Sequence, residues 1–297
     1  MKQMKHLTLS LILLLATMCR GQAQAHRDLQ AFQALESSLH YQQGTISLEK
    51  GMANVTLPDQ FRYLSPQDTE TVLVKIWGNP TAKGTLGMIA PAGQSFLKRD
   101  SWAIIISYAD DGYIKDSDAD KIDYTKLLKS MQDQIREANP TREKQGYPAI
   151  ELVGWATPPT YDREAHKLYW AKELKFTDAK HNTLNYNIRV LGRRGVLVLN
   201  AVASMDQFSE IQQQTPQIVK MVDFTESNRY ADFDSHTDKV AAYGLAALIA
   251  GGIAAKAGFF KLLWVGLLAA KKFVVIGAVA AWAFIKKLFA GRNASET

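Results

Sequence analysis

The chain has 297 residues, of which 47% are hydrophobic and 22% charged, a composition that supports a folded core and excludes a disordered or collagen-like protein. Its formal net charge is +6, but residues 26–235 carry 24 basic and 27 acidic side chains, so the basic excess lies at the two ends of the chain. Nucleic-acid binding is therefore not expected, because it needs a basic patch on a folded domain.

Residues 1–25 have the three parts of a secretory signal peptide. These parts are a basic start, an apolar core and a small-x-small exit, formed by Lys2 and Lys5, Leu7–Met18, and Ala23-Gln24-Ala25. Cleavage is predicted after Ala25, with an uncleaved N-terminal anchor as the alternative. Cys19 is the only cysteine, so a disulfide within the chain is excluded.

Residues 26–235 are predicted to form one exported domain that begins with helices and short strands. Leu29, Phe32, Leu35 and Leu39 share one helical face, and Ser65 followed by Pro66 marks the start of a second helix. The predicted elements are a helix over Asp28–Tyr41, a hairpin of Gly44–Leu48 and Ala53–Leu57, a strand Phe61–Leu64, a helix from Ser65 to Trp77, and strands Leu86–Ala90 and Trp102–Tyr108.

The second half of this domain alternates between one long helix and several strands. A helix is predicted over Asp123–Ala138, where Asn139-Pro140 interrupts it. Four strands and two helical segments follow: Ile150–Ala156, Lys167–Phe176, Thr183–Leu191, Val196–Ala203, then Gln207–Gln213 and Pro216–Val222. Because the connections between the strands are short, their neighbours should be antiparallel. The predicted fold class is α+β, an antiparallel sheet with helices packed on one face.

Residues 239–260 are predicted to form a transmembrane helix. Most of the stretch is uncharged, and it is long enough to cross a bilayer core of about 30 Å if Lys256 reaches back to the headgroups. Ala247, Gly251 and Ala255 are spaced four residues apart, as in close helix–helix packing. A homo-oligomer assembled through this helix is therefore one hypothesis.

Residues 261–289 are predicted to form a basic amphipathic helix in the headgroup plane, with a second membrane helix as the alternative. On a helical wheel Trp264 and Trp282 lie at the border between an apolar side and a basic side. The basic side carries Lys261, Lys271, Lys272, Lys286 and Lys287. A second span would place two of these lysines at mid-membrane, at about 2.5–3.5 kcal/mol each. A helical pair buried in a soluble protein is a third, less favoured interpretation.

Export followed by a C-terminal anchor predicts the location of the protein. The expected site is the inner (cytoplasmic) membrane, with the main domain facing the periplasm and the basic tail on the cytoplasmic side. Membrane lipid is then the partner of the C-terminal segment.

The densest polar group is an acidic run after the strand that ends at Tyr108. It consists of Asp110, Asp111, Asp116, Asp118, Asp120 and Asp123. Its spacing imitates the start of a calcium loop, but Lys121 stands where glycine is needed and Leu127 where glutamate is needed. A turn with acids at helix N-termini is the favoured interpretation.

Neither nucleophile motifs nor metal-ligand spacings are recognisable elsewhere. Ser107 and Ser204 lack a Gly-x-Ser-x-Gly context, and the histidines His26, His40, His166, His181 and His236 are scattered along the chain. We therefore predict no catalytic, cofactor-binding or metal-binding residue, and the protein is not expected to be an enzyme.

One hairpin concentrates aromatic side chains and carboxylates. Trp155, Tyr161, Tyr169 and Trp170 occur there with Glu151, Asp162 and Glu173, a combination that can line a sugar site. Alternation along a strand places Tyr169 and Trp170 on opposite faces, so packing within the sheet is the favoured interpretation.

A series of segments, in this order and spacing, resembles the bacterial membrane-anchored family catalogued as domain of unknown function 2167. The segments are Leu57–Leu64, Trp77–Pro80, Trp102–Asp116, Gly146–Pro148, Val153–Ala156, His166–Leu174, Asn185–Arg193, Asn200–Ala203 and Arg229–Phe233. The resemblance implies an exported protein with a C-terminal membrane segment. A label attached to that family implies regulation of a starch-degrading amylopullulanase, and it supplies no catalytic residue.

Three functions remain open at the level of sequence. The favoured one is a membrane-anchored envelope protein whose exported, non-catalytic domain binds an unknown protein partner. The second is a carbohydrate-acting or regulatory protein that uses acids near Trp155–Glu173, which would require a pocket with two carboxylates about 5–10 Å apart. The third is a membrane scaffold that oligomerises through its Ala/Gly-rich helix.

Overall fold

A computed structural model describes residues 28–79, 81–98 and 100–251 of the chain. The predicted signal peptide, the end of the predicted transmembrane helix and the predicted interfacial helix over 261–289 lie outside these residues. The chain divides into two units, Met1–Leu39 and His40–Thr297. In the first unit, residues 28–37 form helix α1, which is shorter than the predicted helix over Asp28–Tyr41.

The second unit is built on an eight-stranded antiparallel sheet. Its strands run in the spatial order β1-β4-β5-β6-β10-β9-β8-β7. In chain order they are β1 Tyr41–Gln42, β4 Phe61–Leu64, β5 Thr85–Pro91, β6 Ala103–Ala109, β7 Ile150–Asp162, β8 Lys167–Phe176, β9 Thr183–Leu191 and β10 Val196–Ser204. The predicted α+β class and antiparallel pairing are therefore confirmed.

Within the described residues of this unit, the large sheet is joined by a smaller sheet and four α-helices. The smaller sheet has the order β11-β3-β2, formed by β2 Gly44–Leu48, β3 Ala53–Leu57 and β11 Val222–Phe224. The helices are α2 Pro66–Glu70, which continues as a π-helical turn over Thr71–Ile76, α3 Tyr124–Lys144, α4 Phe208–Met221 and α5 Leu245–Ala250.

The two faces of the large sheet have different covers. The first face carries side chains such as Ile106, Leu199 and Ile188, which share a buried cluster with the small sheet and with Ile211 and Ile218 of α4. We call this side the apolar face.

The opposite side, which we call the polar-row face, meets α3 and α5. Leu174 clusters with Met131 of α3, and Leu168 with Leu245 and Leu248 of α5. Helices thus lie on both sides of the sheet, which corrects the prediction that they pack on one face. One helix is too narrow to cover the apolar face of four long strands, so α4 and the small sheet cover it together.

Two prolines fail to break helices where breaks were predicted. α3 continues through Pro140 to Lys144, because Asn139 ties this end to the sheet: its side chain accepts from the Ile150 amide at 2.9 Å and donates to the Ile150 carbonyl at 2.8 Å. α4 runs without interruption through Pro216, so the two predicted helical segments are one helix. In both cases packing outweighs the loss of one backbone hydrogen bond.

Strand β7 is longer than predicted, since it continues through Pro158 and Pro159 to Asp162. It lies at the edge of the sheet and its pairing with β8 shifts register at three places. Proline is tolerated at an edge because the outer side of such a strand has no ladder to maintain.

Other boundaries agree closely with prediction. The bounds of β8, β9 and the β2–β3 hairpin are those predicted, as is β4. Ser65 caps α2 by accepting from the Asp68 amide at 3.2 Å, with Pro66 at the first helical position.

The chain over 239–251 departs from the predicted transmembrane helix. The Tyr113 amide donates to the Lys239 carbonyl and the Ala241 amide donates to the Tyr113 carbonyl, both at 2.8 Å, before the six-residue helix α5 ends at Gly251 with φ +76°. This segment packs into the folded domain past its predicted limit at Ser235. Among the residues described, no helix is long and apolar enough to span a bilayer.

Candidate ligand-binding cleft

A cleft of about 350 Å³ opens where the two sheets meet. Four separate parts of the chain form it: the β2–β3 turn, the end of β6, the β9–β10 turn and the segment after β11. Its lining comprises Glu49, Lys50, Gly51, Met52, Tyr108, Asp110, Arg194, Phe224 and Asn228. The turns approach closely because Gly195 has no side chain, since a Cβ atom there would lie 2.2 Å from the Ala109 carbonyl oxygen.

The backbone around the cleft is strained. Among the described residues, only four other than glycine have a positive φ, and two of them line the cleft: Glu49 at +42° and Lys50 at +56°. A third, Ser227 at +69°, directly precedes the lining residue Asn228. Such conformations cost of order 1 kcal/mol or more each and tend to persist at binding or catalytic sites.

Thr225 holds the strained turn in place. Its hydroxyl donates to the carbonyl of Gly51 at 2.6 Å and lies 3.0 Å from that of Met52, and its amide also donates to Met52 at 3.0 Å. Asn228 donates to the Thr225 hydroxyl at 3.1 Å, so the lining is connected by hydrogen bonds before any ligand arrives.

Opposite charges and aromatic rings face the cleft together. Burial, and then the nearby Asp110 carboxylate, raises the pKa of Tyr108 to about 12, so its phenol stays neutral. Arg194 is fixed by a 2.9 Å bond from Nε to Asp238, and Phe224 lies edge-on to Tyr108 with ring centres 6.4 Å apart. The hydrogen bond from Arg193 holds the pKa of Asp238 below its usual range. A polar ligand carrying both signs of charge suits this lining.

The residues of the acidic run have separate structural tasks. Asp110 lines the cleft, while Asp111 accepts from the Tyr243 hydroxyl at 2.5 Å. Asp116 accepts from the Tyr161 hydroxyl at 2.8 Å, Asp118 accepts from the amides of Leu245 and Ala246, Asp120 pairs with Arg163, and Asp123 caps α3 by accepting from Thr125 and Lys126. Within the described ranges, no group of three or more potential metal-ligating side chains occurs.

The aromatic side chains and the carboxylates of the hairpin have separate partners. Tyr169 and Trp170 lie on opposite faces, as predicted, and Trp155 donates to the Tyr124 carbonyl at 3.3 Å. The carboxylates are dispersed: Glu151 pairs with Lys175, Asp162 accepts from amides of its own turn, and Glu173 accepts from Asn182. None of these residues lines the cleft.

The histidines are also separated. His40 lies 3.7 Å from Asp68 and His181 lies 3.6 Å from Asp206, both at the surface, and His26 lies outside the described residues. His166 Nδ1 lies 3.2 Å from the Tyr161 hydroxyl, which donates to Asp116. Burial, and then this bond to Asp116, raises the pKa of Tyr161, so the tyrosine serves as a donor rather than a nucleophile.

Among the residues that line the cleft, only Asp110 was singled out from the sequence, as part of the acidic run. The other lining residues come from strand ends and turns far apart in the chain, so no local pattern connects them. The β2–β3 hairpin, whose turn carries Lys50 and Gly51, was predicted correctly.

Comparisons with solved structures give partial likenesses. PsbP from the cyanobacterium Synechocystis sp. PCC 6803 is 12% identical, with 61% of this chain and 91% of that chain covered and a TM-score of 0.34. The Ran-binding protein Mog1p of Saccharomyces cerevisiae is 10% identical, with 66% and 100% covered and a TM-score of 0.34. LpqN, involved in cell envelope biogenesis of Mycobacterium tuberculosis, is 14% identical, with 63% and 92% covered and a TM-score of 0.32.

These superpositions are too loose to carry an argument about function. No curated protein matches the chain. The model of a family described as protein of unknown function, DUF2167, matches residues 40–282, which is most of the chain. The chain therefore belongs to the DUF2167 family.

Proposed function

We propose that this protein is a non-catalytic accessory protein of the bacterial cell envelope that binds a protein partner through the cleft. The observation that carries the proposal is the strained lining at Glu49 and Lys50, in a turn that the Thr225 hydroxyl holds through the Gly51 carbonyl. Strain of this kind is retained where a rigid surface must meet a ligand.

The chemistry of the lining favours binding over catalysis. The described residues that line the cleft include no histidine, serine or cysteine, and burial raises the pKa of Tyr108 to about 12, still further above neutral pH than that of a free phenol. Lys50, Asp110 and Arg194 instead offer charges to a partner, with Tyr108 and Phe224 as the apolar wall. A volume of about 350 Å³ suits one or two side chains or a chain end of that partner.

Substitution of Lys50 tests this proposal. Lys50→Gly removes the ammonium group and relieves the positive φ, so the variant should fold at least as stably as the parent protein. Lys83→Ala removes an exposed lysine that does not line the cleft and serves as the control. We expect proteins captured by the full-length chain to be retained by Lys83→Ala and lost from Lys50→Gly. Equal capture by both variants would reject the cleft as the binding surface.

Membrane attachment is the second part of the proposal. It is supported by the apolar, lysine-punctuated sequence over 252–289 and by the family match, which continues to residue 282. Because 239–251 belong to the folded domain, we assign the attachment to the residues that follow Gly251. Together with the predicted signal peptide over 1–25, the proposed attachment supports a location of the domain on the periplasmic side of the inner membrane.

Two fractionation experiments test the attachment and its direction. The full-length chain should remain with membranes after a carbonate wash, and recovery in the supernatant would contradict the attachment. Protease added to intact spheroplasts should cleave within 26–251, whereas protection until lysis would place the domain in the cytosol.

A further inference from the structure

A row of polar side chains crosses the polar-row face, on the opposite side of the sheet from Tyr108 and the cleft. Register places Lys172 of β8 beside Asn185 of β9, and the next rung aligns Trp170, Asn187 and Asn200 across three strands. Asn187 donates to the Asn185 carbonyl oxygens of main chain and side chain at 2.9 and 3.0 Å. Asn185 and Asn187 are buried, whereas Lys172 and Asn200 are half-buried.

Arg189 joins the row from the next rung. Its side chain is 5% exposed, and its guanidinium lies 4.9 Å from the centre of the Trp170 ring. Nη1 donates to the Ile188 carbonyl at 2.9 Å and to Asn200 Oδ1 at 3.2 Å, while Nη2 lies at a longer 3.4 Å from Asn187 Oδ1. The edge formed by Nε and Nη2 is thus left with weak partners or none.

The polar row has a surplus of donors. Arg189 Nε and Trp170 Nε1 are both buried without a hydrogen-bond partner. Buried polar atoms are nearly always paired, so each such atom needs an explanation, for which a bound ion or water is a common one. Both of these unpaired atoms are hydrogen-bond donors, so a ligand that pairs with them must offer acceptor atoms.

No carboxylate of the described residues neutralises the two cations. The ion pairs within the described residues include neither Lys172 nor Arg189. The rest of the sequence contains only one acidic side chain, Glu296. Burial, and then the charge of Arg189, lowers the pKa of Lys172 to about 8.

Placing two like charges in a protein interior is costly unless an opposite charge joins them. We propose that Lys172 and Arg189 form a binding site for the carboxylate or phosphate group of a small ligand, separate from the cleft. The free edge of Arg189 matches the two oxygens of such a group, and Lys172 adds a compact second charge. Trp170 Nε1 supplies a further donor. The site stands apart from the proposed function, since the cleft lies on the other side of the sheet.

Titration of the purified full-length chain with sodium phosphate and with sodium succinate, at matched ionic strength, tests this site. We expect calorimetry to detect binding of at least one of the two anions, and the comparison of the two distinguishes phosphate from carboxylate. Lys172→Met should weaken that binding by about tenfold or more, because a charge-assisted contact is lost. Lys175→Met, on the same strand but exposed and paired with Glu151, should leave it unchanged.

A second readout separates a binding role from a structural one. Without added anion, Lys172→Met should raise Tm by about 2–4 °C, because a half-buried cation without an acidic partner is replaced by an apolar chain. Arg189→Met gives a second test, since it should also weaken anion binding. If Arg189→Met does not fold, the affinity of Lys172→Met alone decides the proposal. Absence of binding by either anion up to about 10 mM would overturn the site. Binding that Lys172→Met and Lys175→Met leave equally strong would overturn it as well.

Discussion

The two faces of the large sheet differ in the side chains that they bury: one is apolar, and the other carries a polar row among apolar residues. On the apolar face, Ile106, Leu199 and Ile188 come from three adjacent strands and meet the small sheet and α4. On the polar-row face, the same strands contribute Ser107, Asn200 and Arg189, of which only Asn200 has appreciable exposure.

The difference indicates that the apolar face stabilises the domain, whereas the polar row serves a purpose other than stability. Apolar burial contributes about 25 cal/mol per Å², whereas buried amides and cations contribute little net stability even when they are paired. A sheet selected for stability alone would carry leucine or valine at both faces. The polar row is therefore retained at the expense of stability.

The largest expected effect concerns the apolar face. Ile106 is fully buried, so Ile106→Ala should lower the free energy of unfolding by about 2–5 kcal/mol through lost burial and a residual cavity. Urea denaturation measures the loss, with Val153→Ala as a control, since Val153 is 41% exposed and its truncation should cost less than about 0.5 kcal/mol. A small loss from Ile106→Ala would mean that this face is not the stabilising one.

The cost of the polar row should appear in the pH dependence of the free energy of unfolding. The pKa of Lys172 falls from 10.5 to about 8 on folding, so the unfolded chain keeps this proton to higher pH than the folded chain does. Stability should therefore rise as pH increases from about 8 toward 10.5, by up to about 3 kcal/mol from this group. The measurement is the difference in unfolding free energy between the parent and Lys172→Met at each pH, which cancels the other titrating groups. If the difference in unfolding free energy does not vary over this pH window, folding does not lower the pKa of Lys172.

The smallest effect tests the cover of the apolar face. Ser204 begins the turn that leads into α4: its hydroxyl accepts from the Asp206 amide at 3.3 Å, and its own amide donates to the Gln207 side chain at 3.1 Å. Ser204→Ala should cost about 1 kcal/mol in chemical denaturation. Ser209→Ala lies on the exposed side of the same helix and should change stability by less than about 0.5 kcal/mol. If the two substitutions changed stability equally, the Ser204 cap would not be what stabilises the start of α4.

Sequence patterns located the central strands because their signal is local. β8 and β9 alternate between two faces over nine or ten residues, and turns of glycine, asparagine and charged residues bound them, so their limits were predictable. The helix and strand ends predicted at prolines were wrong, because tolerance of a proline depends on where its helix or strand lies in the fold. Pro158 and Pro159 are accepted at a sheet edge, and Pro140 where Asn139 anchors the helix end.

The candidate sites were hidden for a different reason. Lys50, Tyr108 and Arg194 meet only when strand pairing brings their turns together, which single-sequence periodicity does not report. Lys172 and Arg189 occupy alternate positions of strands, where a polar residue normally indicates a solvent-facing side. Arg189 is buried and Lys172 half-buried because α3 and α5 cover that side of the sheet, which is a property of the whole fold.

The edge strand β7 has a consequence for the behaviour of the protein at high concentration. Its two adjacent prolines lack amide hydrogens, and three register shifts twist the strand away from a regular ladder. A strand from another molecule could not extend the sheet along such an edge without leaving carbonyl groups unmatched. At the opposite edge β1 is only two residues long, so both borders of the sheet discourage fibrillar self-assembly.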